Sequence, residues 1–133
     1  MSTSIIQIKK SALAKNVKFV KELVGNKVKI SAVIKGNAYG HGIEIAVPAL
    51  EQLGINHFSV FSSEEAKRAF KSSIKKSNIM IMGYIEPGDF SWVIKNGIEF
   101  NVFDLEILKT SLKYSKRLNK KAVIHLEIET GMN

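Results

Sequence analysis

Ala122-Val123-Ile124-His125-Leu126-Glu127-Ile128-Glu129 is the stretch whose pattern decides the fold. Read as a strand, it puts Val123, His125, Glu127 and Glu129 on one face and Ala122, Ile124, Leu126 and Ile128 on the other. A strand of an open parallel sheet has helices over both faces and is apolar on both. Here one face turns polar toward the C-terminal end. In a (β/α)8 barrel that is where the inward side chains form the active site. The run Val28 to Ile34, which ends at Lys35, has the same parity: Lys29, Ser31, Val33 and Lys35 form its more polar face. Two strands with polar groups on one face favour a barrel with a site at its top.

Between these two runs, strand and helix signals alternate. A helix starts at Ala12 behind a Ser11 cap, with Leu13, Val17, Val20 and Val24 as its apolar stripe and Gly25-Asn26 as its stop. Ile43 to Leu53 reads as a helix in which Pro48 predicts a kink or a late start. His57–Phe61, Ile79–Gly83 and Glu99–Phe103 read as strands. Ser62 and Glu65 form a capping box for a helix through about Phe70. Pro87 opens a helix to about Lys95, and Asp104 caps one with Leu105, Leu108 and Leu112 inward, ended by Asn119. The alternation predicts a parallel sheet with right-handed crossovers. A complete barrel needs ~250 residues, so 133 residues hold only about strands one to five, as one domain.

Composition bounds the function. The chain is 45% hydrophobic and 24% charged, as a soluble globular protein is, and has no cysteine for a disulfide, a thiolate nucleophile or a cysteine metal site. Met1 to Lys10 contains no apolar run of signal-peptide or membrane-span length, which predicts a cytoplasmic protein with no membrane partner. The net charge is +8, but Lys9-Lys10, Lys75-Lys76, Lys116-Arg117 and Lys120-Lys121 are scattered pairs near helix ends and turns. They read as solvated surface rather than a nucleic-acid stripe. His41, His57 and His125 lack metal-ligand spacing, so no metal is expected. His41 reads as a structural loop residue, and His57 and the Met80/Met82 pair as packing.

Chemistry is expected at Lys35. An apolar run delivers it beside the loop Gly36-Asn37-Ala38-Tyr39-Gly40-His41-Gly42. A lysine held there can lose its proton when desolvated and attack a carbonyl. The loop lacks the glycine order of a nucleotide-binding turn.

Ala32-Val33-Ile34-Lys35-Gly36-Asn37-Ala38-Tyr39-Gly40-His41-Gly42 closely resembles the pyridoxal-phosphate lysine motif of alanine racemases. Val123 to Asn133 is similar to that family's strand-five segment, usually His-Leu-Lys-x-Asp-Thr-Gly-Met followed shortly by an arginine. The resemblance implies interconversion of L- and D-alanine for cell-wall precursor supply, through a Schiff base between Lys35 and pyridoxal 5'-phosphate. Lys35 is then also one of two catalytic bases, and Tyr39 a ligand of the cofactor phosphate. A racemase for another amino acid, a related barrel aldolase and a non-catalytic cofactor-binding fragment remain alternatives.

Two departures follow. Glu127 stands where the family often has a lysine that can be carbamylated; it would supply a carboxylate directly and orient the following arginine. His125 shares its face and is expected as a supporting residue. Glu129 replaces the usual aspartate and has no assigned role. The family continues past the Thr-Gly-Met-Asn of 130–133 with the remaining strands and a β-rich C-terminal domain. That domain carries the opposite base, a tyrosine delivered across a homodimer interface. The resemblance therefore implies that residues 1–133 are the N-terminal part of the barrel domain, without the C-terminal β-domain, and inactive alone. It also implies unpaired strand edges at Val28–Ile34 and Ala122–Glu129, and poor solubility or self-pairing of the isolated chain.

Overall fold

A computed structural model describes residues 5–131; the last two residues of the strand-five motif, 132 and 133, lie outside them. Helix α1 (Lys10–Val24) leads into β1 (Ala32–Val33). A left-handed turn (Lys35–Tyr39) follows, then α2 (Ile43–Gln52), β2 (His57–Val60) and α3 (Ser63–Ser72). Next are β3 (Asn78–Ile81), a 3-10 turn (Pro87–Asp89) running into α4 (Phe90–Lys95), β4 (Glu99–Val102), α5 (Leu105–Leu118) and β5 (Val123–Leu126).

The five strands form one parallel sheet in the order β1-β2-β3-β4-β5. Strand order decides between the two α/β architectures. A doubly wound sheet reverses direction partway and covers both faces. Here every crossover steps the same way, and right-handed crossovers then put the helices on one face. The architecture is strands one to five of a (β/α)8-type barrel.

Burial agrees with that assignment. Phe58, Val60, Ile79, Ile81, Phe100 and Val102 alternate along β2, β3 and β4 and are buried, together with Ile43 and Val47 of α2, Ala66 and Ala69 of α3 and Val93 and Ile94 of α4. Each large apolar side chain so buried contributes about 1.5–3 kcal/mol relative to exposure. The opposite, inner face carries Ser31, His57, Ser59, Asn78, Glu99, Asn101 and His125. No helix among the described residues is long and apolar enough to cross a membrane.

Several local expectations are corrected. Helix α1 begins at Lys10 with no side-chain cap, so Ser11 lies inside it. Of its stripe, Leu13 and Val17 pack on the core, whereas Val20 and Val24 are exposed. Strand β1 is two residues long, because as an edge strand it pairs with β2 only through Ala32 and Val33, and a last bond runs from the Ile34 amide to the Ser59 carbonyl at 2.8 Å. Strand β5 stops at Leu126 for a similar reason. Its partner β4 ends at Val102, whose carbonyl accepts the Glu127 amide at 3.0 Å. Helix α2 begins at Ile43, five residues before Pro48, so Pro48 does not mark a late start. Asp104 does cap α5, its Oδ1 accepting the Ile107 amide at 2.7 Å. Leu105 and Leu112, however, face solvent; Leu108 packs inward as expected, together with Ile107, Tyr114 and Leu118.

Glu51 of α2 is fully buried, yet it is satisfied. Its carboxylate accepts the hydroxyls of Ser73 and Ser77 at 2.5 and 2.6 Å and the amides of Ile74 and Lys75. It organises the 73–77 loop that delivers β3. Burial, the largest single influence, pushes its pKa up. The four groups donating to it together outweigh burial, so the net shift is below 4.5. A depressed carboxylate stabilises the fold above its unfolded pKa, and that contribution is lost as pH falls through the folded value. Glu51→Gln, which keeps a single acceptor oxygen, is expected to cost about 1–3 kcal/mol at pH 7. Urea melts of the two proteins should converge as the pH drops below 4.5. A pH-independent difference would assign Glu51 a purely steric role.

Candidate active site at the C-terminal rim

The rim where β1 and β2 end gathers the chemically capable groups. Lys35 follows directly on Ile34, and Ile34 is buried. Lys35 itself is exposed, so the desolvation expected of it is not present in this chain. Strand β1 lies at the sheet edge, where Val28, Lys29, Ser31 and Val33 are exposed and Ile30 and Ala32 are half-buried against the core.

Beyond Lys35 the backbone does something propensity argues against. Gly36, Asn37, Ala38 and Tyr39 all have φ between 52° and 58°. Each L-residue in this left-handed region costs roughly 1–2 kcal/mol, less for asparagine. Glycine enters it freely, and an added Cβ at Gly36 would meet nothing within 4 Å, so the space beside Lys35 is open. Bonds inside the turn offset part of the cost. The Ala38 amide donates to Ile34 at 2.8 Å, the Gly42 amide to Asn37 at 2.9 Å, and Ala38 is buried. The His41 ring closes on the Ala38 carbonyl at 2.8 Å. A carbonyl only accepts, so Nδ1 carries the proton there. His41 is thus the structural loop residue its position suggested.

The turn lines a cleft of about 630 Å³ with Lys35, Tyr39, Phe61, Glu65 and Arg68 on its walls. A primary amine and a phenol at the mouth of an open cleft suit a ligand with a carbonyl and an anionic group. Phe61 lies across Gly83 at the end of β3, where a Cβ would overlap its ring.

The family model described as "Alanine racemase, N-terminal domain" matches residues 8–133. The chain belongs to that family. Alanine racemase 1 of Caldanaerobacter subterraneus subsp. tengcongensis is 36% identical over 127 residues, which are 96% of this chain and 32% of that protein. The alanine racemase of Francisella philomiragia is 35% identical over 130 residues, 98% of this chain and 34% of its own length. Among solved structures, the alanine racemase of Clostridium difficile 630 superposes with a TM-score of 0.80 at 30% identity, covering 92% of this chain and 31% of that one. The chain thus spans about a third of the length of the alanine racemases it matches.

Within this alanine racemase N-terminal segment, the remaining candidates lie elsewhere on the inner face. Glu127 follows β5 and is exposed, its backbone amide tied to Val102. His125 turns toward the sheet's opposite end, its Nε2 donating to Glu99 Oε2 at 2.8 Å. The same oxygen takes the His57 Nε2–H at 3.3 Å, and Glu99 Oε1 accepts from Asn78 at 3.0 Å. On its other side His57 Nδ1 meets the Ser31 hydroxyl at 2.8 Å, and Ser31 meets Ser59 at 2.6 Å. His57, Asn78 and Glu99 are the first residues of their strands, so this cluster sits at the N-terminal end, where barrels keep stabilising rather than catalytic groups. Burial, the largest influence, raises the Glu99 pKa, but hydrogen bonds from His125 and His57 pull it below the usual carboxylate value overall.

Sequence reasoning missed Glu99 and gave His57 a packing role. The available signal was Glu99 and Asn101 alternating with Phe100 and Val102, two polar groups on the inner parity of β4. It also missed Arg68. That guanidinium donates to both oxygens of Glu44 at 2.8 Å and to Asn37 Oδ1 at 2.6 Å. The hydrogen bond from Arg68 is the main reason the Glu44 pKa falls to about 2.

Proposed function

We propose that this chain supplies the cofactor-bearing lysine of an alanine racemase, with pyridoxal 5'-phosphate as cofactor and alanine as substrate, in the cytoplasm. One observation supports the reading most: the family's lysine and tyrosine stand together on a left-handed turn at the C-terminal rim, beside an open cleft between that turn and the start of α3. Lys35 Nζ would hold the cofactor through its carbonyl carbon, and the Tyr39 hydroxyl would donate to its phosphate. When bound, pyridoxal phosphate supplies an electron sink that acidifies the α-hydrogen of an attached amino acid. With the cofactor bound, Lys35 Nζ would accept that proton or return it on one face of the α-carbon. The opposite face needs a second base, which the full-length family provides from a C-terminal domain across a homodimer.

Glu127 is proposed to hold an arginine in place by charge, as a fixed substitute for a carbamylated lysine. Glu127→Gln is expected to lower racemisation by about ten- to a hundredfold while leaving the melting temperature within about 1 °C, because the side chain is exposed. Equal losses in activity and stability would sink that role.

Because the chain spans about a third of its relatives, cofactor capture and turnover are tested separately. Capture is read as visible absorbance on adding pyridoxal phosphate to the protein. Turnover is read with the native gene product as loss of the circular dichroism of L-alanine and appearance of D-alanine. No rate above that of free pyridoxal phosphate would contradict the substrate assignment.

A further inference from the structure

We propose that Glu65 and Arg68, both on α3, are positioning residues that clamp the left-handed turn and so fix where the Lys35 amine and the Tyr39 hydroxyl stand. For Lys35 as the cofactor amine, this rests on the function proposed above.

The argument begins with a departure from ordinary capping. Ser62 caps α3 as its sequence suggests, Oγ accepting the Glu65 amide at 3.3 Å. In a capping box the glutamate at the third position bonds back to the cap residue's own amide. Glu65 instead spreads its two oxygens over two other segments. Oε2 accepts the Phe61 amide at 2.9 Å, and Oε1 accepts the Asn37 amide at 3.3 Å. One carboxylate therefore ties the end of β2 to the middle of the turn.

One helical turn further along, Arg68 takes hold of the same residue from its side chain. Its Nη2 donates to Asn37 Oδ1 at 2.6 Å. That oxygen also accepts the Ile43 amide at 3.3 Å, so the start of α2 is joined in. The guanidinium is itself fixed, because Nε and Nη2 grip the two oxygens of Glu44 at 2.8 Å. Such two-point pairing restricts the orientation of the fork as well as its position. Asn37 is thus held through both backbone and side chain, two residues from Lys35 and two from Tyr39. A strained backbone persists only where its surroundings over-determine it. Here the surroundings are named, and all the clamping side chains come from α3 and α2, outside the turn itself.

The clamp is tested on the full chain with Glu65→Gln, which retains one acceptor, with Arg68→Met, and with Asn37→Ala. Two readouts are needed. Amide exchange of Ala38, Gly40 and Gly42 reports the turn without any cofactor. Borohydride trapping of pyridoxal phosphate, mapped by peptide mass, reports the share of label on Lys35 relative to the other lysines. Glu65→Gln and Arg68→Met should each speed exchange in the turn by about tenfold, with exchange in β2 to β4 unchanged. Each should also lower the Lys35 share by about tenfold. Adding Arg68→Met to Asn37→Ala should cost no more than about twofold further, because Arg68 acts through Asn37. Unchanged turn exchange in both single variants would overturn the clamp. Faster exchange with an undiminished Lys35 share would overturn its role in positioning the amine, and so would fully additive loss in the double variant. If the unaltered chain shows no preference for Lys35, the cofactor reading fails instead, and the clamp stands or falls on the exchange data.

Discussion

Lys35→Ala is expected to remove both the visible band of lysine-bound pyridoxal phosphate and racemisation, the latter by at least about 10⁴-fold. The size follows from two roles carried by one nitrogen. On the function proposed above, Nζ is both the covalent anchor for the cofactor and the base for one face of the substrate, and an alanine side chain at position 35 offers neither. Lys35 is exposed, so truncating it leaves the core intact, and the far-ultraviolet dichroism and melting curve should match the parent. That separates a chemical loss from a folding loss. The chain has 18 lysines, so indiscriminate adducts are the main confounder. Lys29→Ala is the matched control. Lys29 lies on the same approach to β1, is exposed, and precedes the turn rather than opening it. It should retain the band and the activity. Loss in both variants, or in neither, would remove Lys35 from its assigned place.

Phe100→Ala is expected to cost about 3–5 kcal/mol. Phe100 is fully buried on the helix-facing side of β4. Its ring meets Phe90 edge-on with centroids 6.1 Å apart, and Phe90 stacks on Tyr114 at 5.8 Å. The trio joins β4 to the start of α4 and the middle of α5. Removing the Phe100 ring deletes its edge contact with Phe90 and leaves a cavity the strand cannot close. Domains of this size are stable by about 5–15 kcal/mol, so the variant should lose a large part of its margin, read as a lower urea midpoint with an unchanged slope. A cost below about 1 kcal/mol would mean that the helix layer does not rest on β4 as described. The effect reaches the inner face as well. Glu99 and Asn101 flank Phe100 on the opposite parity, and β4 is the partner that holds His125 of β5 in register and accepts the amide of the following Glu127.

What the sequence made legible was local or periodic. The alternation in Ala122–Glu129 and the parity of Lys35 with Ser31 identified a bare inner face, because side-chain direction along a strand is fixed by geometry. Ser62 and Asp104 announced their helices through short-range bonds to the third residue. The rest depended on partners distant in the chain. How far β1 and β5 extend was set by their pairing with β2 and β4. The inward stripe of α5 includes Tyr114 because Phe90 is there to receive it, which left Leu105 and Leu112 to solvent. Glu99 gathers donors from three other strands, which no window along the chain would join. The left-handed turn is the clearest case. Asn37, Ala38 and Tyr39 have no intrinsic reason to sit at positive φ, and the groups that hold Asn37 there lie 28 and 31 residues away. The motif was readable as chemistry while its backbone was not.

The central claim, that Lys35 is the cofactor amine of this alanine racemase segment, is tested most directly by reducing the protein with borohydride in the presence of stoichiometric pyridoxal phosphate and mapping the modified peptide. The account predicts one dominant phosphopyridoxyl adduct, on the peptide that contains Lys35. Label distributed evenly among surface lysines, with Lys35 no more modified than Lys29, would contradict it.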